Sequence, residues 1–298
     1  MTLGIAGLCS GIVMVVVFYV GALAMTTHRL SHAGGQYAGL LRPRRLFTLA
    51  VALTLTFINL PPVHAQPTDI TVRVLSRDAK FIGSSMGGAK ITLRDAHTGQ
   101  VLATGLTSGS TGNTGTVMHD KGGRRARLTD NDAAKFVTTL DLDAPTLLEV
   151  EAFAPLAQPQ SALRVLSSQW VIPGKHLSGG DGWVVEMPGF AVDILNPPAP
   201  KRLTGASAEI RLVASVVMMC GCPIEPGGRW DANRFEVRAL VERDGEPVTE
   251  YPLAYAGEIS QFAVNLPLPS PGLYDVTVYA YDPDTGNTGL DRTTFFAP

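Results

Sequence analysis

Asp69-Ile70-Thr71-Val72-Arg73-Val74-Leu75-Ser76 decides the fold class. Ile70, Val72 and Val74 fall at every second position, the period of a strand with one buried face. The same alternation returns at Ile91 and Leu93, then at Val101 and Ala103. It predicts further strands over 136–142, 147–153, 162–171 and 183–194. Between the second and third bursts, Asp95-Ala96-His97-Thr98-Gly99 pairs a carboxylate that bonds its own backbone two residues on with a glycine that accepts positive φ. That combination predicts a β-hairpin.

The Gly/Ser/Thr-rich stretch 107–123, with Lys121, Arg124, Arg125 and Arg127 around its end, reads as a long mobile loop. Only 130–135 hints at a helical turn, with Asp130 or Asp132 as its cap. Asn196-Pro197-Pro198-Ala199-Pro200 favours stiff extended backbone and suits a linker. Beyond it, strand patterns over 209–222, 234–243, 249–254, 261–266, 273–281 and 292–296 are enough for one sandwich. The expectation is an all-β chain of two β-sandwich domains, 66–195 and 205–298, joined by a Pro-rich linker at 196–204.

Two stretches resemble known families. Gly87-Gly88-Ala89-Lys90-Ile91-Thr92-Leu93, leading into Asp95 to Gly99, resembles carboxypeptidase-regulatory or transthyretin-like sandwich domains. Pro271-Gly272-Leu273-Tyr274-Asp275-Val276-Thr277-Val278-Tyr279-Ala280-Tyr281-Asp282, continuing to Gly289, resembles the penultimate strand and hairpin of bacterial immunoglobulin-like domains. This second resemblance implies that Tyr274 is a tyrosine-corner residue, its ring in the core and its hydroxyl bonded to upstream backbone. The Cys and Trp pair of antibody domains is missing, and both families serve mainly as binding, spacing or accessory modules.

Residues 1–65 have export composition. No acidic residue precedes Asp69, whereas Arg29, Arg42, Arg44 and Arg45 all lie in this stretch. Arg42, Arg44 and Arg45, the apolar run 46–60 and Val63-His64-Ala65 read as the basic region, apolar core and cleavage site of a signal peptide at about 41–65. Upstream, 3–25 is a further uncharged run of bilayer-spanning length. It reads either as a transmembrane helix, with the basic stretch 28–45 held cytoplasmic, or as part of an untranslated leader with the true start near Leu40. The second reading is preferred, because a complete signal peptide needs no hydrophobic segment before it. The first 65 residues hold four of the 24 basic and none of the 26 acidic side chains, leaving a formal net charge of −6. That balance argues against a nucleic-acid partner. A periplasmic or secreted protein follows, its membrane contact limited to the possible helix at 3–25.

The chemistry-bearing candidates are few. Cys9 falls in the leader, so Cys220 and Cys222 remain, within Met218-Met219-Cys220-Gly221-Cys222. In a straight strand their Cα atoms would lie about 6.6 Å apart, at the limit for a disulfide. A bend at Gly221 or Pro223 would allow the bond in an oxidising compartment. Alternatively both thiolates, with Met218 or Met219, would hold a soft ion, best matched by Cu(I). Unbonded core thiols are the third reading. His97, His119 and His176 fit no metal signature, although His119 beside Met118 would join a copper site if the fold brought them near Cys220.

Gly83-Ser84-Ser85-Met86-Gly87 has the pattern of a hydrolase nucleophile elbow, but another strand follows where that elbow needs a helix. Asp282-Pro283-Asp284-Thr285-Gly286-Asn287 resembles a calcium loop in its alternate oxygens, yet it has no closing Glu and reads as a hairpin turn. Without a catalytic constellation, the expected function is a non-catalytic binding or accessory protein of the cell envelope, with no cofactor and an unknown protein partner. The alternative is a periplasmic copper-binding or copper-delivery protein.

Overall fold

Alternating apolar residues form strands because side chains at i and i+2 share one face, which must be covered by a second sheet. The computed structural model describes residues 64–119, 123, 126–204 and 208–298. The segment at 3–25 and nearly all of 41–65 lie outside the described residues. Among those described, no helix is long and apolar enough to cross a membrane.

The fold is all-β, with sandwich-like sheets. β1 (Gln66–Ser76), β2 (Lys90–Asp95), β3 (Val101–Leu106), β4 (Phe136–Leu142), β5 (Thr146–Ala154), β6 (Leu163–Val171) and β7 (Trp183–Met187) form a first pair of sheets. Their strand orders are β4-β1-β7 and β3-β2-β5-β6. Ile70, Val72 and Val74 meet Ile91, Leu93 and Val150 in the core between them. At Asp95 the expected hairpin forms: Oδ1 accepts from the amides of His97 and Thr98, and Gly99 sits at φ 72°.

The second pair is built from β8 (Phe190–Asn196), β9 (Lys201–Arg202), β10 (Glu209–Met218), β11 (Glu236–Arg243), β12 (Glu246–Pro252), β13 (Ala254–Tyr255), β14 (Gln261–Pro267), β15 (Gly272–Tyr281) and β16 (Thr288–Ala297). The orders here are β13-β14-β10-β8 and β12-β11-β15-β16-β9. Leu212, Ala214 and Val216 of β10 pack with Val237, Val278 and Phe295. Tyr274 is fully buried, stacks on Phe295 and donates its hydroxyl to the Ser270 carbonyl at 2.7 Å.

Three local expectations are corrected. The run 183–194 is two strands: Pro188 has no amide to donate and Gly189 takes φ 114°, so the chain leaves one sheet and enters another. The described part of 107–123 is anchored. Ser84 donates its amide to Gly109 O and Phe81 to Thr111 O, while Ser108 and Ser110 bridge to Lys135 and Ala133. It also carries the short helix α1 (Thr114–His119), whose Thr116 amide donates to the Asn113 side chain. Residues 130–135 form no helix; Asp130 instead accepts from the Ala133 amide to close a turn.

This anchored layer covers the outer face of β1. Arg73 is therefore buried on a strand that alternation would leave half-exposed, and its Nη1 donates to the carbonyls of Ala133 and Ala134. β1 also pairs in parallel with β7, an arrangement that needs the long crossover the intervening strands supply.

β8 is an edge strand whose free edge is closed by side chains. Ser161 Oγ accepts from the Val192 amide and donates to the Val192 carbonyl, both at 2.9 Å. Asp291 Oδ2 accepts from Ile194 N at 2.8 Å, and Asn287 Oδ1 accepts from Gly189 N at 3.1 Å. Ser161 comes from the first sheet pair and the other two from the second, so one strand edge ties both pairs into a single compact unit.

A Cβ at Gly289 would lie 2.2 Å from the Phe190 carbonyl oxygen, a backbone atom that cannot swing aside. Gly289→Ala lowers stability by about 2 kcal/mol or more in urea unfolding. Desolvation, with Asp291 as a like charge, raises the Asp193 carboxyl above its usual range. The folded chain then holds that proton more tightly than the unfolded chain, so stability falls as pH rises from the ordinary carboxylate range through the raised value. Asp193→Asn unfolds at a higher denaturant midpoint than wild type at pH 7, and the gap closes as pH falls toward about 4; a gap independent of pH would contradict this.

Candidate functional site

β10 ends in a tight hairpin that sets the thiol geometry. Gly221 N donates to Met218 O at 2.7 Å, Met218 N donates to Cys222 O at 3.1 Å, and Gly221 has φ 75°. This is a three-residue loop with a left-handed glycine, and it places Met218 opposite Cys222. The bend brings the cysteine Cα atoms to 5.4 Å, closer than a straight strand allows. Met218, Cys220 and Cys222 all lie in the second core. Met219 points the other way, into the first core, which also holds Met86. Met86 packs over the hairpin: a Cβ at Gly221 would lie 2.7 Å from its thioether sulfur.

Met218 also reaches a cavity of about 230 Å³. Met118, on α1, lines the same cavity, together with Asp78, Arg229, Trp230 and Asp282. Asp78 turns the chain at φ 56°, its carbonyl accepts from Trp230 Nε1 at 2.9 Å, and its carboxylate accepts from Asn287 Nδ2. Desolvation, then the like charges of Glu186 and Asp282, raises the Asp78 carboxyl. Both carboxylate oxygens of Asp282 accept from its own loop, from Asp284 N and Thr285 Oγ1, so the 282–287 segment is a self-bonded turn.

The histidines are dispersed. The His119 ring lies against the Arg229 guanidinium, His176 Nδ1 accepts from Asp69 N, and His97 sits by Trp170. Among the described residues no group of three or more His, Cys, Asp or Glu side chains converges as a metal site. Ser85 is exposed on a short 3-10 turn that leads into β2. Of the basic cluster, Arg127 donates to Thr129 Oγ1, and Lys121, Arg124 and Arg125 lie outside the described residues.

A larger concavity of about 500 Å³ lies where the first sheet pair meets the outer face of β11, β15 and β16. Ser161 and Leu163 form one wall, and Leu240, Tyr279 and Leu290 the other, with Phe190 between them. Leu163, Leu240 and Leu290 are exposed. Tyr279 is held by a hydroxyl bond to Glu250, which also pairs with Arg238 at 2.8 Å. Desolvation and the Glu250 carboxylate push the phenol up to about 12.

Sequence patterning gave no signal for this groove or for Asp78, because the residues involved lie up to about two hundred positions apart. In sequence Met118 stands out only as the neighbour of His119, and the fold separates the two: the methionine lines the cavity while the imidazole meets Arg229.

No family model matches the chain, and no curated protein matches it. Among solved structures, an engineered protein is 21% identical over 43% of this chain, with a TM-score of 0.28. The chain spans about a quarter, 24%, of that protein's length. A chimeric titin Z1Z2 carrying an exogenous KLER peptide from decorin is 11% identical over 78% of this chain and 96% of its own, with a TM-score of 0.19.

Spectrophotometric titration checks the groove's electrostatics. Tyr279→Phe removes one phenolate transition with a midpoint near 12 and leaves those of the other tyrosines in place. Loss of a transition at the ordinary tyrosine value would contradict the Tyr279–Glu250 contact.

Proposed function

We propose that this is a non-catalytic exported protein of the cell envelope, periplasmic or secreted, that binds a protein partner through the groove between Leu163, Leu240 and Leu290. One observation supports the reading: exposed leucines and a rigidly held tyrosine share one concave surface spanning both sheet pairs. Leucines scattered singly would need no explanation, whereas leucines grouped in a concavity favour an interaction site. In this reading the chain is a carboxypeptidase-regulatory or transthyretin-like sandwich followed by an immunoglobulin-like one, exported by a signal peptide at about 41–65. In the exported form Cys220 and Cys222 are joined as a disulfide that closes the hairpin.

In-cell photo-cross-linking tests it. A benzophenone amino acid at position 240 yields a discrete protein adduct, while the same probe at Val248, exposed on β12 away from the groove, does not. Adding Leu290→Arg to the position-240 protein abolishes the adduct without changing the far-ultraviolet circular dichroism. Equal labelling from positions 240 and 248 would count against the groove.

A second reading has its own support. The thiols and the Met218 thioether share one buried core at a hairpin, a soft-ligand set that suits Cu(I) once the cysteines are reduced.

A further inference from the structure

We propose that the protein partner adds an extended strand to the free edge of β6. This rests on the groove reading above and names the form of the bound segment: an uncharged strand with apolar side chains at alternate positions.

The direction of the β6 backbone follows from its neighbours. Leu147 O accepts from Ala96 N at 2.9 Å, so along β5 the backbone groups of 147, 149 and 151 face β2. Those of 148, 150 and 152 then face β6 and bond to Gln169, Ser167 and Val165, their ladder partners. The amides and carbonyls of Arg164, Leu166, Ser168 and Trp170 are left pointing outward. None of them has a hydrogen-bond partner among the described residues. From the facing sheet, the bond that reaches β6 joins side chains, with Trp183 Nε1 donating to Ser167 Oγ at 3.2 Å.

Open edges are normally protected, and the other pair of sheets shows how. β8 has Ser161 and Asp291, β12 carries Pro247, Pro252, Glu246 and Glu250, and β9 and β13 are two residues long. β6, at nine residues, is the longest edge strand described, and it pairs with β5 throughout without a register shift. It has no proline, and its single charge, Arg164, pairs with Glu151 at 3.4 Å. Leu166 and Trp170, each 58% exposed, share the outer face of this strand. An added strand satisfies the outward backbone groups and covers both side chains. With the edge's own charge neutralised, burying a charged segment there would go uncompensated, which selects an apolar one. The edge also begins at the groove, since Leu163 is both the first residue of β6 and part of the groove wall.

The test places the benzophenone amino acid at position 170 of the full chain in cells, beside the position-240 protein. Both probes yield an adduct with the same partner, identified by mass spectrometry. Ser168→Pro removes an outward amide but no bond to β5, and it lowers the position-170 adduct about tenfold with far-ultraviolet circular dichroism unchanged. Ser168→Ala keeps the amide and the adduct. Leu166→Lys, a charge of the kind that guards natural edges, lowers the adduct as Ser168→Pro does. An adduct at 240 with none at 170, an unchanged yield in Ser168→Pro, or a position-170 adduct made of two copies of this chain overturns strand addition alone. A position-170 adduct that Ser168→Pro removes, without one at 240, supports strand addition and overturns the groove reading.

Discussion

The structure depends on how the open edge of β8 is closed. An edge strand exposes a row of unpaired amides and carbonyls, and each buried one left unsatisfied costs about 1–3 kcal/mol. Here no further strand is added. Ser161 offers one hydroxyl that both accepts from and donates to Val192, as a neighbouring strand would, Asp291 accepts from Ile194, and Asn287 accepts from Gly189 just before the strand. The first sheet pair supplies Ser161, so satisfying the backbone of the second pair also docks the first. The leucine-lined groove follows directly, because Ser161 and Leu163 are thereby held against the outer face of β11, β15 and β16.

A second constraint acts on the other side of the first pair. The outer face of β1 carries Arg73, and burying a guanidinium is costly unless its donors are used. The carbonyls of Ala133 and Ala134 both accept from Nη1, fixing the 126–135 segment over the sheet, while the 107–113 backbone bonds to both 81–84 and 132–135. α1 follows from this anchored layer, and with it the place of Met118 in the wall of the cavity that Met218 also lines.

The legible parts of the fold are those governed by near neighbours in sequence. Period-two alternation located the strands; Asp95 and Gly99 set their hairpin with bonds two and three residues long. Gly221 supplies the left-handed residue on which the hairpin after β10 turns. What could not be read is set by distant partners. Arg73 looks like a solvent-facing residue until 133–134 arrive to cover it. The polar 107–123 stretch buries little on its own and reads as mobile, yet its glycines allow backbone to approach backbone: a Cβ at Gly109 would lie 2.5 Å from Asp132 O. The split at Pro188-Gly189 is hidden by apolar residues on both sides, and the parallel pairing of β1 with β7 carries no local signature. At the candidate site the hairpin was readable and the cavity was not, since Met118 and Met218 are a hundred residues apart.

The seam at β8 is tested most directly by amide hydrogen exchange at Val192 and Ile194, whose protons are held by side chains alone. The account predicts protection at both amides equal to that of the central strands β10 and β15, lost only in global unfolding. Exchange at the rate of exposed turn amides would contradict it, and would mean that the two sheet pairs are not joined along this edge.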